Sequence, residues 1–384
     1  LRTRLTPLII GSICLASLVL CRTSLSAPTA SANSAASPAS AILSSALSDN
    51  GSQVYPVDNR SVLVRVDNRI DAAKDRLVLV DLQDGTLIKD LSSNQDILDV
   101  HTLSHPNKLI VISRSSSGKI IKLVYNDQGT QLRSFQYPIS VDSSAEAKWA
   151  APYGKVNERL MIRTGSKFSL YEPASKSALA IWNASLDDNS GYEFLQIDDW
   201  DFAAYPYLAI KYYLQGIMSD SYEVQTVNLY SRSAAVLNRP SYNTRLQIVD
   251  RNKLELWSSY TYSDTPSGNS PVPKPAERQA FHSLYLLNSG QFLRQDTHLF
   301  NQTPGRISGW KTQLSGAYVC VQDLGTGAWS LYNRISGVPI ALNQSGLPSP
   351  WLFLSYDPDA RAAYFLFSSQ ESSNPPSVKK VLLP

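Results

Sequence analysis

The densest run of chemistry-bearing residues is SLDDNSGYEFLQIDDWDF, residues 185–202. Asp187, Asp188, Glu193, Asp198, Asp199 and Asp201 place six carboxylates within fifteen positions. Clustered hard oxygen donors suit calcium, and Asp187-x-Asn189-x-Gly191-x-Glu193 loosely follows a calcium loop. The spacing departs from an EF-hand, and Asp-Asn-Ser-Gly is also an ordinary turn, so no metal ligand is assigned. Paired acids could equally serve general acid–base hydrolysis, provided that folding brings two of them to one point. Aromatic residues follow the acids. Tyr212, Tyr213, Tyr260 and Tyr262 could stack on a sugar or anchor a protein partner. The candidate ligand-binding set is therefore Asp198, Asp199, Trp200, Asp201, Tyr212, Tyr213, Tyr260 and Tyr262. No catalytic residue is assigned.

Other chemistry is missing from the chain. There is no Gly-rich phosphate loop, no His-Glu-x-x-His and no Gly-x-Ser-x-Gly, and nothing implies a cofactor. His101, His105, His282 and His298 are scattered, and each is read as structural. The 384 residues carry 35 basic and 32 acidic side chains, a formal net charge of +3. That is too small to imply a nucleic-acid partner. The chain is 43% hydrophobic with 20 Tyr and 7 Trp, which argues against disorder.

The elements that must position these residues form a repeat. Short strand-like runs are centred near Val64, Val111, Met161, Ala209, Leu256, Cys320 and Leu366. They recur about every 48 residues, with one longer step before Cys320. A second series ends in polar turns: LVLVDLQDG, KLVYNDQG, FSLYEPASK, VNLYSRSAA, HSLYLLNSG and WSLYNRISG. Gly supplies the positive φ that such hairpin turns need. Each unit thus holds about four short strands, and no run of ten residues has helical periodicity.

Four strands per repeat predict an all-β fold, a seven-bladed β-propeller, with six or eight blades as alternatives. The last copy runs out after its third strand, and a strand from Ala41–Leu47 would close the ring. By period and strand pattern, residues 51–384 resemble the WD40-like and TolB-like propellers of bacteria, although the Trp-Asp dipeptide occurs only once, at Trp200-Asp201. The resemblance implies that ligands bind on the face shared by the strand two-to-three loops. Those connections are long in the fourth and fifth copies, near Leu214–Tyr222 and at Tyr260–Gln279. Trp149, Trp200, Trp310 and Trp351 fall near the first strands, where they fill space between blades or present rings to a ligand.

The first fifty residues read differently. Arg2 and Arg4 precede an apolar run, Leu5–Leu20, followed by Cys21-Arg22 and a Ser/Ala/Pro-rich stretch. This is the pattern of an export signal over residues 1–32, cleaved after Ala32 or retained as a membrane anchor. Leu18-Val19-Leu20-Cys21 resembles a bacterial lipobox but lacks the small residue before Cys. Leu1 fits either a non-standard bacterial start codon or a trimmed fragment. Residues 33–50 read as a flexible linker. Arg2, Arg4 and Arg22 account for the whole net charge, so a cleaved chain is formally neutral.

The expectation is therefore a secreted or cell-envelope propeller, monomeric, tethered to a membrane if its N-terminus is retained. It would act as a binding or scaffold module for a protein or glycan. The alternative is a glycan- or lactone-active hydrolase using carboxylates near the channel mouth. The missing catalytic motifs lean against an enzyme.

Overall fold

A computed structural model describes residues 38–48, 52–66, 75–92, 95–104, 106–173, 175, 177–186, 191–217, 220–237, 244–258, 281–296, 310–347, 350–367 and 376–384. One helix, α1 (Pro38–Ser48), precedes β1 (Gln53–Pro56), β2 (Ser61–Val66), β3 (Arg76–Asp81) and β4 (Leu87–Asp90). Next come β5 (Asp96–Leu103), β6 (Lys108–Arg114), β7 (Lys119–Asn126) and β8 (Gln131–Ser140). They are followed by β9 (Glu146–Ala150), β10 (Arg159–Thr164), β11 (Lys167–Tyr171) and β12 (Leu179–Asn183). Then come β13 (Tyr192–Asp201), β14 (Tyr207–Gly216), β15 (Asp220–Asn228), β16 (Ser233–Leu237), β17 (Thr244–Val249), β18 (Lys253–Ser258), β19 (Phe281–Leu286) and β20 (Phe292–Gln295). The chain ends with β21 (Trp310–Ser315), β22 (Tyr318–Asp323), β23 (Trp329–Asn333), β24 (Pro339–Gln344), β25 (Trp351–Asp357), β26 (Ala362–Phe367) and β27 (Ser377–Leu382).

Strands adjacent in sequence pair antiparallel in order, as β1 with β2 and β2 with β3. Burial grades across each set. Second strands such as β2 (SVLVRV) and β26 (AAYFLF) are buried on both faces. That is the mark of a strand whose sheet is covered on both sides. Fourth strands such as β8, β16 and β20 are largely exposed. First strands approach one another, β1 with β5, β5 with β9, β13 with β17 and β21 with β25. The first strand of each set therefore faces the axis and the fourth forms the rim.

Apolar clusters join each set to its successor. Leu63, Leu79, Leu109 and Val111 pack β1–β4 on β5–β8, and Ile110, Trp149 and Leu160 pack β5–β8 on β9–β12. Met161, Phe168, Trp200 and Leu208 continue the ring, followed by Val224 with Leu256 and Trp257 with Val319. Cys320 and Trp329 meet Phe353 and Phe365, and Val64 and Val80 meet Leu354 and Leu366. The last set thus meets the first. This is a propeller arrangement, with blade-like sheets in a ring.

The hydrogen bonding corrects the expected division into seven, six or eight blades. Among the described residues five sheets stand by themselves: β5–β8, β9–β12, β13–β16, β17–β20 and the three-stranded β25–β27. The remaining strands form one continuous eight-stranded sheet in the order β24-β23-β22-β21-β1-β2-β3-β4. The join is a parallel pairing of Val54 with Ser315. First strands are sheet edges with free backbone groups. Where β1 and β21 crowd at the axis in front of β25, those groups pair, so the repeat in the sequence does not equal the sheets.

A second difference concerns the segment Ala41–Leu47, which lies in α1 and supplies no closing strand. Ile42, Leu43, Ala46 and Leu47 share one helical face and are buried against β2 and β25. Pro38 stands at the first position, where its missing N–H costs no bond. Residues 38–48 of the expected 33–50 linker are thus helical. Among the described residues no helix is long and apolar enough to cross a membrane.

Several local expectations hold. Gly85, Gly129, Gly290 and Gly337 all adopt positive φ in hairpin turns. Trp149, Trp200, Trp310 and Trp351 lie on first strands and are buried between sheets. The excess length near Leu214–Tyr222 is taken up by a long hairpin, β14 with β15, whose tip exposes Ile217. The insertion at 260–279 lies outside the described residues.

Candidate functional site

Three successive axial strands each carry a polar pair two residues apart: Asp99 and His101 on β5, Glu146 and Lys148 on β9, Asp199 and Asp201 on β13. Residues i and i+2 share one face of a strand, and here the acids on β5 and β13 reach the neighbouring first strands β9 and β17. The Lys148 ammonium interacts electrostatically with Asp99, Glu146, Asp199 and Asp201 together, and its Nζ lies 3.8 Å from Asp201 Oδ1. Its side chain is 31% exposed, so the ammonium keeps contact with solvent. Tyr55 on β1 reaches the same region and feels the charges of Asp99 and Asp201.

The carboxylates also hold the ring together. Asp99 Oδ2 accepts the Trp149 backbone N–H at 2.7 Å and contacts His101 Nε2 at 2.7 Å. Asp201 accepts two backbone N–H bonds, from Phe202 and from Ile248 on β17, both 2.7 Å. Asp199 accepts from Trp200 at 2.8 Å and from Leu246 at 3.2 Å. Glu146 accepts the Trp200 indole N–H and pairs with Arg163. Acids on one strand thereby satisfy backbone donors on the next axial strand, which no sheet partner would reach.

Protonation in the cluster is uneven. Burial pushes the Asp199 carboxyl above its ordinary value, against the pull of Lys148 and its two N–H bonds. Burial also acts upward on Asp99, but His101, Lys148 and the Trp149 N–H outweigh it and hold Asp99 below its ordinary value. Burial would lower His101, yet the Asp99 carboxylate beside it raises the imidazole overall. Lys148 is likewise held up against burial by its ring of acids, Asp201 first. Burial raises the Tyr55 phenol to about 12.

Of the sequence-derived set, Asp199, Trp200 and Asp201 join this cluster. Asp198 is the extra residue of a β-bulge between Ile197 and Asp199, and its carboxylate pairs with the buried Lys211 ammonium at 2.6 Å. Lys211 also donates to the Thr244 carbonyl at 2.8 Å. Tyr212 is buried between sheets, and burial pushes its phenol up to about 12. Tyr213 is half-buried, and its hydroxyl donates to Asp220 at 2.8 Å. Tyr260 and Tyr262 lie outside the described residues, as do Asp187, Asp188 and Asn189 of the loosely calcium-like run. Glu193 is exposed on β13. Among the described residues no three His, Cys, Asp or Glu side chains are grouped to hold a metal ion.

Sequence reasoning missed Tyr55, Asp99, His101, Glu146 and Lys148. The available signal was the repeated polar-x-polar pair at first-strand positions: DVH, EAK and DWD. His282, read from the sequence as structural, is buried against Trp257, with ring centroids 4.0 Å apart, between Asp296 and Glu255.

No protein-family model matches the chain, and no curated protein matches it. Solved structures do resemble it. The β-propeller domain of the Trilobed protease from Pyrococcus furiosus is similar with a TM-score of 0.46 and 8% identity, over 86% of this chain and 94% of that one. A chain of the Mitotic Checkpoint Complex gives 0.40 and 11%, over 86% and 89%. SapL1 lectin, solved with alpha methyl fucoside, gives 0.38 and 11%, over 77% and 97%. At these identities and scores none of them speaks to ligand or reaction.

Proposed function

We propose that the protein is a propeller hydrolase acting on a glycosidic or lactone bond at the axial cluster. The observation that carries this reading is that two carboxyl groups around one ammonium have their proton affinities shifted in opposite directions. Asp199 is held up and Asp99 is held down. Environments that separate two acids in this way suit one as proton donor and the other as proton acceptor. In this reading Asp199 is the proton donor, and its carboxyl proton goes to the leaving oxygen. Asp99, with His101, takes a proton from the attacking water. Lys148 stabilises negative charge developing on a lactone carbonyl oxygen. At a glycosidic bond the C–O bond breaks as the bond to the water oxygen forms; at a lactone water adds to the carbonyl carbon, and the ring C–O bond breaks as the resulting oxyanion re-forms the carbonyl, so that in each case one proton leaves the water and one joins the leaving oxygen. The test is turnover of a panel of nitrophenyl glycosides and aliphatic lactones. Wild type should turn over at least one, and Asp199→Asn should reduce that rate about a hundredfold or more. No turnover of any substrate, or an unchanged rate in Asp199→Asn, would refute it.

A second reading is a binding or scaffold module for a protein or glycan. It is favoured by the backbone N–H bonds that Asp99, Asp199 and Asp201 already accept, because they give the acids a structural task. Under it, ligand capture survives Asp199→Asn and no reaction accompanies it. For either reading we propose an extracytoplasmic, monomeric protein, exported by the 1–32 segment. Fractionation of cells producing the full chain tests this, since cytoplasmic recovery would oppose it.

A further inference from the structure

Antiparallel strands return their one-to-two and three-to-four connections to the same end of a sheet. Over the sheets β9–β12, β13–β16 and β17–β20 those connections touch through aromatic rings and guanidinium groups. Arg159, at the start of β10, lies 5.1 Å from the centre of the Tyr205 ring in the β13–β14 connection. Tyr205 meets Tyr230, in the β15–β16 turn, edge-on at 5.3 Å. Arg251, in the β17–β18 turn, lies 4.2 Å over the ring of Tyr153 in the β9–β10 connection, reaching past the sheet between them. Tyr153 and Tyr230 are 66% and 67% exposed, so each ring keeps a face open to solvent.

The charge of this surface is one-sided. Its acids are already paired, Glu158 with Lys122, Glu172 with Arg159 and Asp250 with Lys253. Lys155, Arg232 and Arg251 are exposed and have no carboxylate partner among the described residues. Lys155 stands at the tip of a tight turn closed by two backbone bonds between Tyr153 and Val156, both 2.9 Å.

Two of these cations sit where the backbone disfavours them. The β3–β4, β19–β20 and β23–β24 turns place Gly85, Gly290 and Gly337 at their left-handed position, and the β15–β16 turn places Arg232 there, with φ +53°. Arg251 is left-handed too, with φ +54°. A residue with a Cβ is strained in that conformation, and a turn that needed only its shape would use Gly. Arginine at both positions keeps exposed positive charge at a cost to the fold.

We infer that this surface binds an acidic polysaccharide. Sugar rings stack on the open faces of Tyr153 and Tyr230, and their carboxylates pair with Lys155, Arg232 and Arg251. Guanidinium–carboxylate bonds are charge-assisted and suit a bidentate geometry. A neutral glycan leaves the cations without partners, and an acidic peptide lacks the repeated flat faces that the separate rings accept. The inference deepens the binding-module reading. It is tested by binding alone, so it can fail without touching the turnover expected at the axial cluster.

The experiment is calorimetric titration of the full chain with hexagalacturonate, beside maltohexaose and hexaglutamate. Hexagalacturonate should bind, less tightly as salt rises, and maltohexaose should not. Arg232→Gly with Arg251→Asn removes two charges from positions that suit Gly and Asn better. That variant should unfold at or above the wild-type temperature, yet bind about tenfold more weakly. Tyr153→Leu with Tyr230→Leu keeps every charge and should also weaken binding about tenfold. No binding of hexagalacturonate, equal or tighter binding of hexaglutamate, or unchanged affinity in either variant would overturn the inference.

Discussion

His101 and Asp99 form the most informative single contact in the axial cluster, because their shifts oppose each other in pH. The folded imidazole is held above the ordinary value of 6.5. Its contribution to stability is full below about pH 6.5 and is lost as pH rises through the folded value. The Asp99 carboxyl is held below the ordinary 3.8. Its contribution is full above that value and is lost as pH falls through the folded one. The pair therefore supports the fold between these limits. His101→Gln should flatten the fall in stability on the alkaline side while Asp99 still takes the Trp149 N–H. Urea unfolding at a series of pH values checks this, and an unchanged alkaline limb would rule out the pair as its origin. At this scale the sequence was partly legible. Density of acids pointed to Asp199 and Asp201, because the two share a strand. It could not point to Lys148 or Asp99, which come from other repeats and meet only when the ring closes. It also grouped Asp198 with its neighbours, although that carboxylate, at a β-bulge, is taken up by Lys211.

Strand elements were the most legible part, since period-two alternation and turn glycines are local properties. Gly85 illustrates how local and ring-wide demands coincide. It adopts φ +76° in the turn between β3 and β4, and a Cβ there would lie 2.8 Å from the backbone nitrogen of Val378 on β27. The turn needs a positive φ, and the neighbouring sheet needs the space. Gly85→Ala should cost more than the ~1 kcal/mol of a left-handed alanine, because backbone must also move. Equilibrium denaturation measures this directly, and a loss of no more than ~1 kcal/mol would show that β27 yields freely. Helix α1 was missed for the converse reason. Eleven residues of Ala, Ser and Leu give a weak pattern, and short helices owe their stability to packing. The packing partners, β2 and β25, lie at opposite ends of the sequence repeat.

At the scale of the whole molecule, the repeat established a ring of sheets but not the division of that ring. Counting strands treats every first strand alike. The pairing of Val54 with Ser315 fuses two sets because of crowding at the axis, a property of closure and not of any one repeat. The Ser315 hydroxyl also donates to the Leu354 carbonyl of β25, so β1, β21 and β25 are bound at a single point. Helix α1 covers the other side of that junction through Leu43, which is 3% exposed against Val64 and Leu354. Each sheet is buried by both neighbours, so loosening one junction withdraws support from the next. Leu43→Ala should therefore cost about 2–5 kcal/mol, as a cavity in a packed core does. The loss should appear as one earlier transition for the whole ring. Tryptophans report from β9, β13, β21 and β25, so indole fluorescence and far-ultraviolet circular dichroism should fall together in urea. If the variant instead unfolds in two steps, with the sheets near α1 lost first, the ring is a chain of separable sheets and its closure carries little of the stability.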